Sequence, residues 1–429
     1  MAERYFDRFI FVSLCLLIFV LPATIAGVSI FSALAILFFL LKKVFVFQKA
    51  WQSACGPLRW KKAVSALVLP GYFPSRVFWT LMAFVAVCFL SIFWSVVPSL
   101  SVKAFFGKTL KVVIVFLAVQ ESVTTPKRKM WFLSCFLVSA FILCLDGLWQ
   151  RIMGHDVFRH VVLGDGRVNA SLNHPNDLGA YLILAIPCVL VVCFNWVSEK
   201  GKTTREKLFK YFLAAVASSI ILAVMGLTFS RGAWVGLLCA AVVFVVLKRR
   251  AWLPVLVLTI GFLAIFHPLL AHHRDMTLIN DTSSTQHSSF STIGGDGRIQ
   301  YWKDAWRIIC DHPLWGTGLN TYTDVIKTYV QQNQNYAHNC YLQTAAELGI
   351  VGLVSFLCFI AAFFTAVYRN FVGLKGLRDQ RILACLMAGM AGLLVESALD
   401  TTFYSVQLSV LMWLMMGLMG TFRQDVLEH

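Results

Sequence analysis

The sequence predicts an all-α polytopic membrane protein of about twelve transmembrane helices with a large, partly helical external loop. Three observations carry this. Hydrophobic residues make up 59% and charged residues 14% of the chain, against about 45–50% and about 25% in a soluble domain. Apolar runs recur at lengths near the ~17–25 residues that cross a bilayer. One long polar interval, Leu270–Leu348, interrupts them. Within hydrocarbon each segment must satisfy its own backbone hydrogen bonds, so the runs are helices. The chain thus divides into 1–269 with nine spans, 270–348 as the external loop, and 349–429 with three further spans and a short tail.

The first run, Phe9–Leu21, follows Arg4 and Arg8, and Thr24-Ile25-Ala26 imitates a cleavage site. A second run, Ile25–Leu41, begins at once, which favours a tight helical hairpin over a removed signal peptide. The remaining runs are Val77–Trp94, Phe105–Val119, Trp131–Leu148, Leu178–Phe194, Phe212–Leu227, Ala233–Leu247, Leu253–Leu270, Ile350–Val367, Ile382–Val395 and Val406–Gly420. Most cysteines lie inside these runs and read as small packing residues. Cys310 and Cys340 lie in or beside the long loop, and a disulfide between them stays open.

The net charge of +16 does not indicate nucleic acid, because no basic motif with interleaved aromatics occurs. The cations sort by loop instead. With the N-terminus inside, one side receives Lys42, Lys43, Lys49, Lys127-Arg128-Lys129, Lys200, Lys202, Arg205, Lys248-Arg249-Arg250, Arg369 and Arg378. That is the positive-inside pattern, with both termini cytoplasmic and the long loop external. The basic loop Lys42–Arg76 reads as a surface loop near anionic headgroups.

The external side holds two substantial loops. The first, Trp149–Asp177, contains Gly164-Asp165-Gly166-Arg167 and Asn173-His174-Pro175-Asn176. In the second, Ile299, Trp302, Trp306 and Ile309 recur at helical spacing, predicting an amphipathic helix that ends at Asp311-His312-Pro313. Gly316-Thr317-Gly318 is a turn, a second helix is expected over Tyr322–Gln332, and Ser283–Ser291 reads as mobile.

Candidate site residues come from this side. Arg231, between two apolar runs, is either an interfacial anchor or a lipid-phosphate ligand; its fork of donors matches phosphate oxygens. Arg298, just before the amphipathic helix, would share an anion with the free N–H groups of the helix start, or else be salt-bridged. Arg167 is the analogous residue of the first loop. His338, beside the re-entering helix, is the side chain suited to proton transfer near neutral pH, although a lone histidine is more often structural. Asn176 reads as a helix cap or a sugar-hydroxyl partner. Glu396 and Asp400 would neutralise an arginine, and Lys103, Lys108 and Lys111 would pair with lipid phosphates or snorkel. The external carboxylates are dispersed, so no metal is expected, and no Gly-x-Ser-x-Gly nucleophile motif occurs.

The ordered set Arg167…Asn173-His174-Pro175-Asn176, Thr228-Phe229-Ser230-Arg231-Gly232-Ala233-Trp234, Gly297-Arg298…Trp302…Trp306, Pro313-Leu314-Trp315-Gly316-Thr317-Gly318, Ala337-His338-Asn339-Cys340-Tyr341-Leu342 and Glu347-Leu348-Gly349 resembles the O-antigen ligase / O-antigen polymerase superfamily. Tyr341 is bulkier than that pattern leads one to expect. The resemblance implies a C-type glycosyltransferase-like fold in the bacterial inner membrane with a periplasmic active site. It implies transfer of O-antigen from an undecaprenyl-diphosphate-linked glycan donor to a sugar of the lipid A core, inverting and metal-independent, with no cofactor. Arg231, Arg298 and His338 take the catalytic positions of the family motif, and Arg167, His174, Asn176, Trp302 and Asn339 the substrate side. A polymerase of the same superfamily is the alternative. A non-enzymatic transporter is less favoured, because transporters concentrate polar groups at the membrane midplane.

Overall fold

The computed structural model of the chain describes residues 2–53, 59–61, 65, 75–197, 203–248, 296–330 and 336–423. The apolar run Leu253–Leu270 and the stretch Ser283–Ser291 lie outside the described residues. Helices α1 (Ala2–Val20) and α2 (Ile25–Gln52) pack as the expected hairpin, and Thr24 caps α2 by accepting from the Gly27 N–H. Helix α3 (Ser75–Leu90) is followed by α4 (Pro98–Ala104), a π-helical turn (Phe105–Leu110) and α5 (Lys111–Ser122). Then come α6 (Pro126–Met153), α7 (Pro175–Val197), α8 (Thr204–Leu227) and α9 (Arg231–Leu247). The segment between α9 and the next long helix holds α10 (Asp296–Asp311) and α11 (Tyr322–Tyr329). Finally α12 (Cys340–Gly373), α13 (Leu377–Glu396), a 3-10 turn (Thr402–Tyr404) and α14 (Val406–Gly420) complete the described chain.

Among the described residues there is no strand, and four helices (α2, α6, α8 and α12) are long and apolar enough to cross a membrane. Helices α3, α7, α9 and α14 are shorter apolar segments. The core is aromatic where α5, α12 and α14 meet. Phe116 lies edge-on to Trp413 at 5.5 Å, and Phe359 stacks on Trp413 at 5.5 Å. Such pairs add about 0.5–1.5 kcal/mol each beyond burial. Helix α9 lies against α13 at backbone distance, since a Cβ on Gly236 would meet the Gly392 carbonyl oxygen at 2.7 Å. Small residues permit that approach where apolar burial alone gives no driving force. It sets the start of α9 beside the end of α13.

The two ends of the bundle differ in chemistry. At one end Lys42 bridges Asp7 at 2.6 Å and Glu121 at 2.5 Å, and Lys43 meets Glu121 at 2.7 Å. The other end gathers the loops 154–174, 228–230, 312–321 and 397–405 and helices α10 and α11. Its loops interlock. Trp94 Nε1 donates to the Trp315 carbonyl at 2.9 Å, Ser171 to the Pro22 carbonyl at 3.0 Å and Gln407 to the Leu21 carbonyl at 3.1 Å.

The segment carrying α10 and α11 is pinned by a break in α12. Gly349 adopts φ +67°, which interrupts the helix after Leu348. The freed groups pair with the turn Pro313–Gly318. Gly318 N–H donates to the Glu347 carbonyl at 2.8 Å, Thr317 N–H to Ala346 at 3.0 Å, and Ile350 N–H to Pro313 at 2.9 Å. A side chain at Gly349 would collide with the Leu314 carbonyl. The Glu347 carboxylate accepts from the Asn320 N–H at 2.7 Å and the Tyr322 N–H at 3.4 Å, capping α11.

Helix α10 is amphipathic, as the spacing of its apolar residues predicts. Ile309 is buried, but Ile299 and Trp306 are exposed, and the buried stripe runs through Asp304, Ala305 and Ile308. Asp304 can enter because Gln300 donates to it at 2.9 Å and Arg307 at 3.1 Å. The segment turns its tryptophan outward and a satisfied carboxylate inward. Cys310 is exposed and Cys340 buried, both as free thiols.

Candidate functional site

His338 precedes the first turn of α12, with a left-handed backbone (φ +48°). Asn339 caps that helix, its side-chain oxygen accepting from the Tyr341 and Leu342 N–H groups at 3.0 Å each. The imidazole stands against Tyr301 of α10, the two rings stacked at 5.5 Å. Trp302 Nε1 donates to the His338 carbonyl at 3.4 Å. Two successive aromatics of α10 therefore fix the ring and backbone of His338.

His338 Nδ1 lies 3.0 Å from Asp400 Oδ1, which also accepts from the Thr401 N–H at 2.8 Å. Asn176 Nδ2 donates to the other carboxylate oxygen. The backbone carbonyl of Asp400 accepts from Cys340 Sγ at 3.2 Å. Burial works against the ionised form of Asp400, but the hydrogen bond and charge of His338, the Thr401 N–H and the Arg298 charge outweigh it. They hold the carboxyl below its ordinary range. With Asp400 ionised, the proton of a neutral His338 belongs on Nδ1, which leaves the Nε2 lone pair free to accept.

Behind this pair lies a chain of side chains. Arg167 donates from Nη2 to Asn176 Oδ1 at 2.7 Å and from Nε to the Thr228 carbonyl at 3.0 Å. Val168 N–H adds a bond to the Leu227 carbonyl at 3.0 Å. The loop between α6 and α7 is thereby fastened to the turn that starts α9. Thr228 Oγ1 accepts from the Ser230 N–H at 3.2 Å, Phe229 is left-handed (φ +50°), and Ser230 caps α9 by accepting from the Ala233 N–H. Arg231 is exposed in the first turn of that helix. Its neighbour Gly232 faces Glu396 and Leu399, so the turn adjoins Asp400.

Arg298 is half-buried in the first turn of α10, and its charge acts on Asp400, Arg167 and His174. His174 caps α7, with Nδ1 accepting from the Asn176 N–H at 3.2 Å. Asn176 itself is in the first turn, its side chain buried between Arg167 and Asp400. The capping expected of Asn176 thus falls to His174.

The structure brings together Arg167, His174, Asn176, Arg298, Trp302, His338 and Asn339, with Arg231 on the adjoining turn. Arg167, Asn176, Trp302 and Asn339 each engage protein partners. Sequence reasoning has Asp400 neutralise an arginine, and the charges of Arg298 and Arg167 do act on it; its hydrogen bond to His338 was not foreseen. Tyr301, stacked on His338, was not among the candidates. The signal for Asp400 was its place next to the end of an apolar run, where a buried carboxylate needs a partner. Among the described residues no three His, Cys, Asp or Glu side chains converge as a metal site would require.

Fold and site together define a multi-pass helical membrane protein whose polar chemistry collects at one end of the bundle. Residues 213–357 match the family model described as O-antigen ligase. The matched stretch contains Arg231, Arg298 and His338 but neither Asn176 nor Asp400. A comparison with curated proteins found no match.

Proposed function

We propose that this protein is an O-antigen ligase. In this reading it transfers the glycan from undecaprenyl diphosphate to a sugar hydroxyl of the lipid A core, on the periplasmic side of the inner membrane, with inversion and without metal. The observation that carries the proposal is the His338–Asp400 pair at 3.0 Å, within reach of the Arg298 charge.

The acceptor oxygen attacks the anomeric carbon while its proton passes to His338 Nε2. The bond from that carbon to the diphosphate breaks, and its electron pair leaves on the diphosphate oxygen. Arg298 and Arg231 bind the diphosphate and stabilise the charge gathering there; both stand in first turns, where unpaired N–H groups also favour an anion. Asp400 keeps His338 in the accepting tautomer and stabilises the imidazolium. Arg167, Asn176, Trp302 and Asn339 act as positioning residues around this pair.

His338→Ala should give a folded, inserted protein without transfer activity. Normal transfer at matched membrane levels would overturn the assigned role. Deletion of the gene followed by lipopolysaccharide analysis separates the two family reactions. Lipid A core without polymer, with long glycan retained on undecaprenyl diphosphate, supports ligation. A core bearing a single repeat unit points to polymerisation instead.

A further inference from the structure

The segment between α3 and α5 contains a group of cations that the reaction above does not use. Lys103 and Lys108 are exposed and Lys111 is half-buried. Among the described residues none of the three has an ion-pair partner. Lys108 and Lys111 are close enough for one charge to act on the other. The charge of Glu347 reaches Lys108, but three cations against that one carboxyl keep an excess of positive charge that an anion would offset.

The backbone is shaped around them. In a regular α-helix, positions 103 and 108 would stand ~140° apart. The π-helical turn Phe105–Leu110 lies between them, and its wider i→i+5 pairing draws the two toward one face. Lys111 follows three residues later, where helical neighbours meet. Asn320 Oδ1 accepts from Lys108 Nζ at 2.6 Å. Asn320 is itself left-handed (φ +61°) and held by its N–H on Glu347. Lys108 is thus fixed in place, unlike a free snorkelling side chain.

Depth is set by the packing. Phe116 meets Trp413, and Gly417 abuts Val119, so α5 and α14 run in the same direction. Lys108 and Lys111 are then level with the first turn of α14. On the turn that carries Asn320, Trp315 is exposed and pairs with Trp94 at 5.2 Å, as aromatics do at a headgroup boundary. Phe106, 56% exposed, presents apolar surface beside the lysines. Cations near an aromatic pair and beside an apolar face match a phosphate carried on an acyl chain.

We propose that Lys103, Lys108 and Lys111 form a binding site for the phosphate of a membrane lipid, on the same face as His338 and distinct from the arginine site. The inference requires a membrane-spanning chain but not the transfer reaction.

The test is native mass spectrometry of the purified full-length protein in neutral detergent, titrated with phosphatidylglycerol, with phosphorylated lipid A, with dephosphorylated lipid A and with diacylglycerol. The wild type should retain both phosphorylated lipids, and the preference between them tells which is the ligand. The triple variant Lys103→Gln/Lys108→Gln/Lys111→Gln should bind them about tenfold more weakly, while the corresponding triple Arg variant stays near wild type. Should the triple Gln variant not fold, Lys103→Gln alone, at an exposed position, should still weaken binding measurably. Equal binding of phosphorylated lipid by the Gln variants, equal retention of diacylglycerol, or displacement by millimolar inorganic phosphate would overturn the proposal. Binding is read without turnover, so its failure is separable from failure of the ligase reading.

Discussion

Replacing Asp400 by Asn changes one charge and almost no volume, and the surroundings determine what the amide must do. Asp400 Oδ1 accepts from His338 Nδ1 and Thr401 N–H, while the other oxygen accepts from Asn176 Nδ2. An amide has one accepting end. If its oxygen faces Asn176, its NH₂ faces His338 and needs Nδ1 as an acceptor, moving the imidazole proton to Nε2. The nitrogen meant to take the hydroxyl proton is then already protonated. If the amide turns round, its NH₂ opposes the NH₂ of Asn176 and a buried donor goes unpaired, costing about 1–3 kcal/mol. The first arrangement also leaves the Thr401 N–H without its acceptor; the second keeps the tautomer but removes the charge that stabilises the imidazolium, so the base is impaired either way. General-base catalysis is worth about 10²–10⁴-fold, or about 3–5 kcal/mol of barrier. We therefore expect Asp400→Asn to lower kcat by about two to four orders of magnitude with little change in KM for the donor. The assay is transfer from undecaprenyl-diphosphate-linked glycan to lipid A core, in membranes with matched protein levels. Because Asp400 acts through His338, the double variant His338→Ala/Asp400→Asn should be no slower than His338→Ala alone. Asp400→Asn activity within about threefold of wild type, or additive losses in the double variant, would refute the tautomer argument.

Other consequences follow from the same geometry. Arg298→Lys keeps the charge but loses the bidentate fork, so transfer should fall by about 10–100-fold on the scale of one charge-assisted contact, with the protein still folded; wild-type rates would remove Arg298 from the diphosphate site. Transfer measured in excess chelator should match the untreated rate, and a loss restored by Mg²⁺ or Mn²⁺ would contradict the metal-free mechanism. Gly349→Ala places a Cβ on a φ of +67° and into the Leu314 carbonyl; beyond the ~1–2 kcal/mol of left-handed strain, it should detach the Pro313–Gly318 turn and lower Tm, read by thermal unfolding of the purified protein.

How much of this was legible beforehand depends on the physical signal. Helix positions were readable because apolar runs and their flanking cations report the membrane directly, as with Phe9–Leu21 and Ile25–Leu41 becoming α1 and α2. Which side of α10 is buried was not legible, because hydropathy ranks Trp306 as apolar and Asp304 as polar. The structure buries Asp304 with Gln300 and Arg307 and leaves Trp306 outside. Hydropathy cannot see a carboxylate whose partners lie three or four residues away on its own helix. The His338–Asp400 contact spans 62 residues and the Asn176–Asp400 contact 224. No local spacing encodes such separations, so Asp400 could be read only as a carboxylate in need of a partner. The π-helical turn at Phe105–Leu110 left no sequence mark beyond the lysines around it.

Asp400 also explains why the motifs of this chain lie so far apart. Its carboxylate receives His338 from the segment before α12, the Thr401 N–H from its own turn and Asn176 from the start of α7, and Asn176 in turn holds Arg167. Arg167 closes the circuit by binding the Thr228 carbonyl, three residues before Arg231. An ionised carboxylate that is largely buried is tolerated only when its acceptor sites are filled, so the groups that fill them are obliged to meet at one point. The proposed base and the turn carrying the proposed diphosphate ligand are thus positioned through one charge. Disturbing Asn176 should therefore affect both. Asn176→Ala removes a donor to Asp400 and an acceptor from Arg167 together, leaving two charged groups each short of a partner. It should impair base function and donor binding in the same variant, lowering kcat and raising donor KM. A change in only one of these would show that the two halves of the site are set independently.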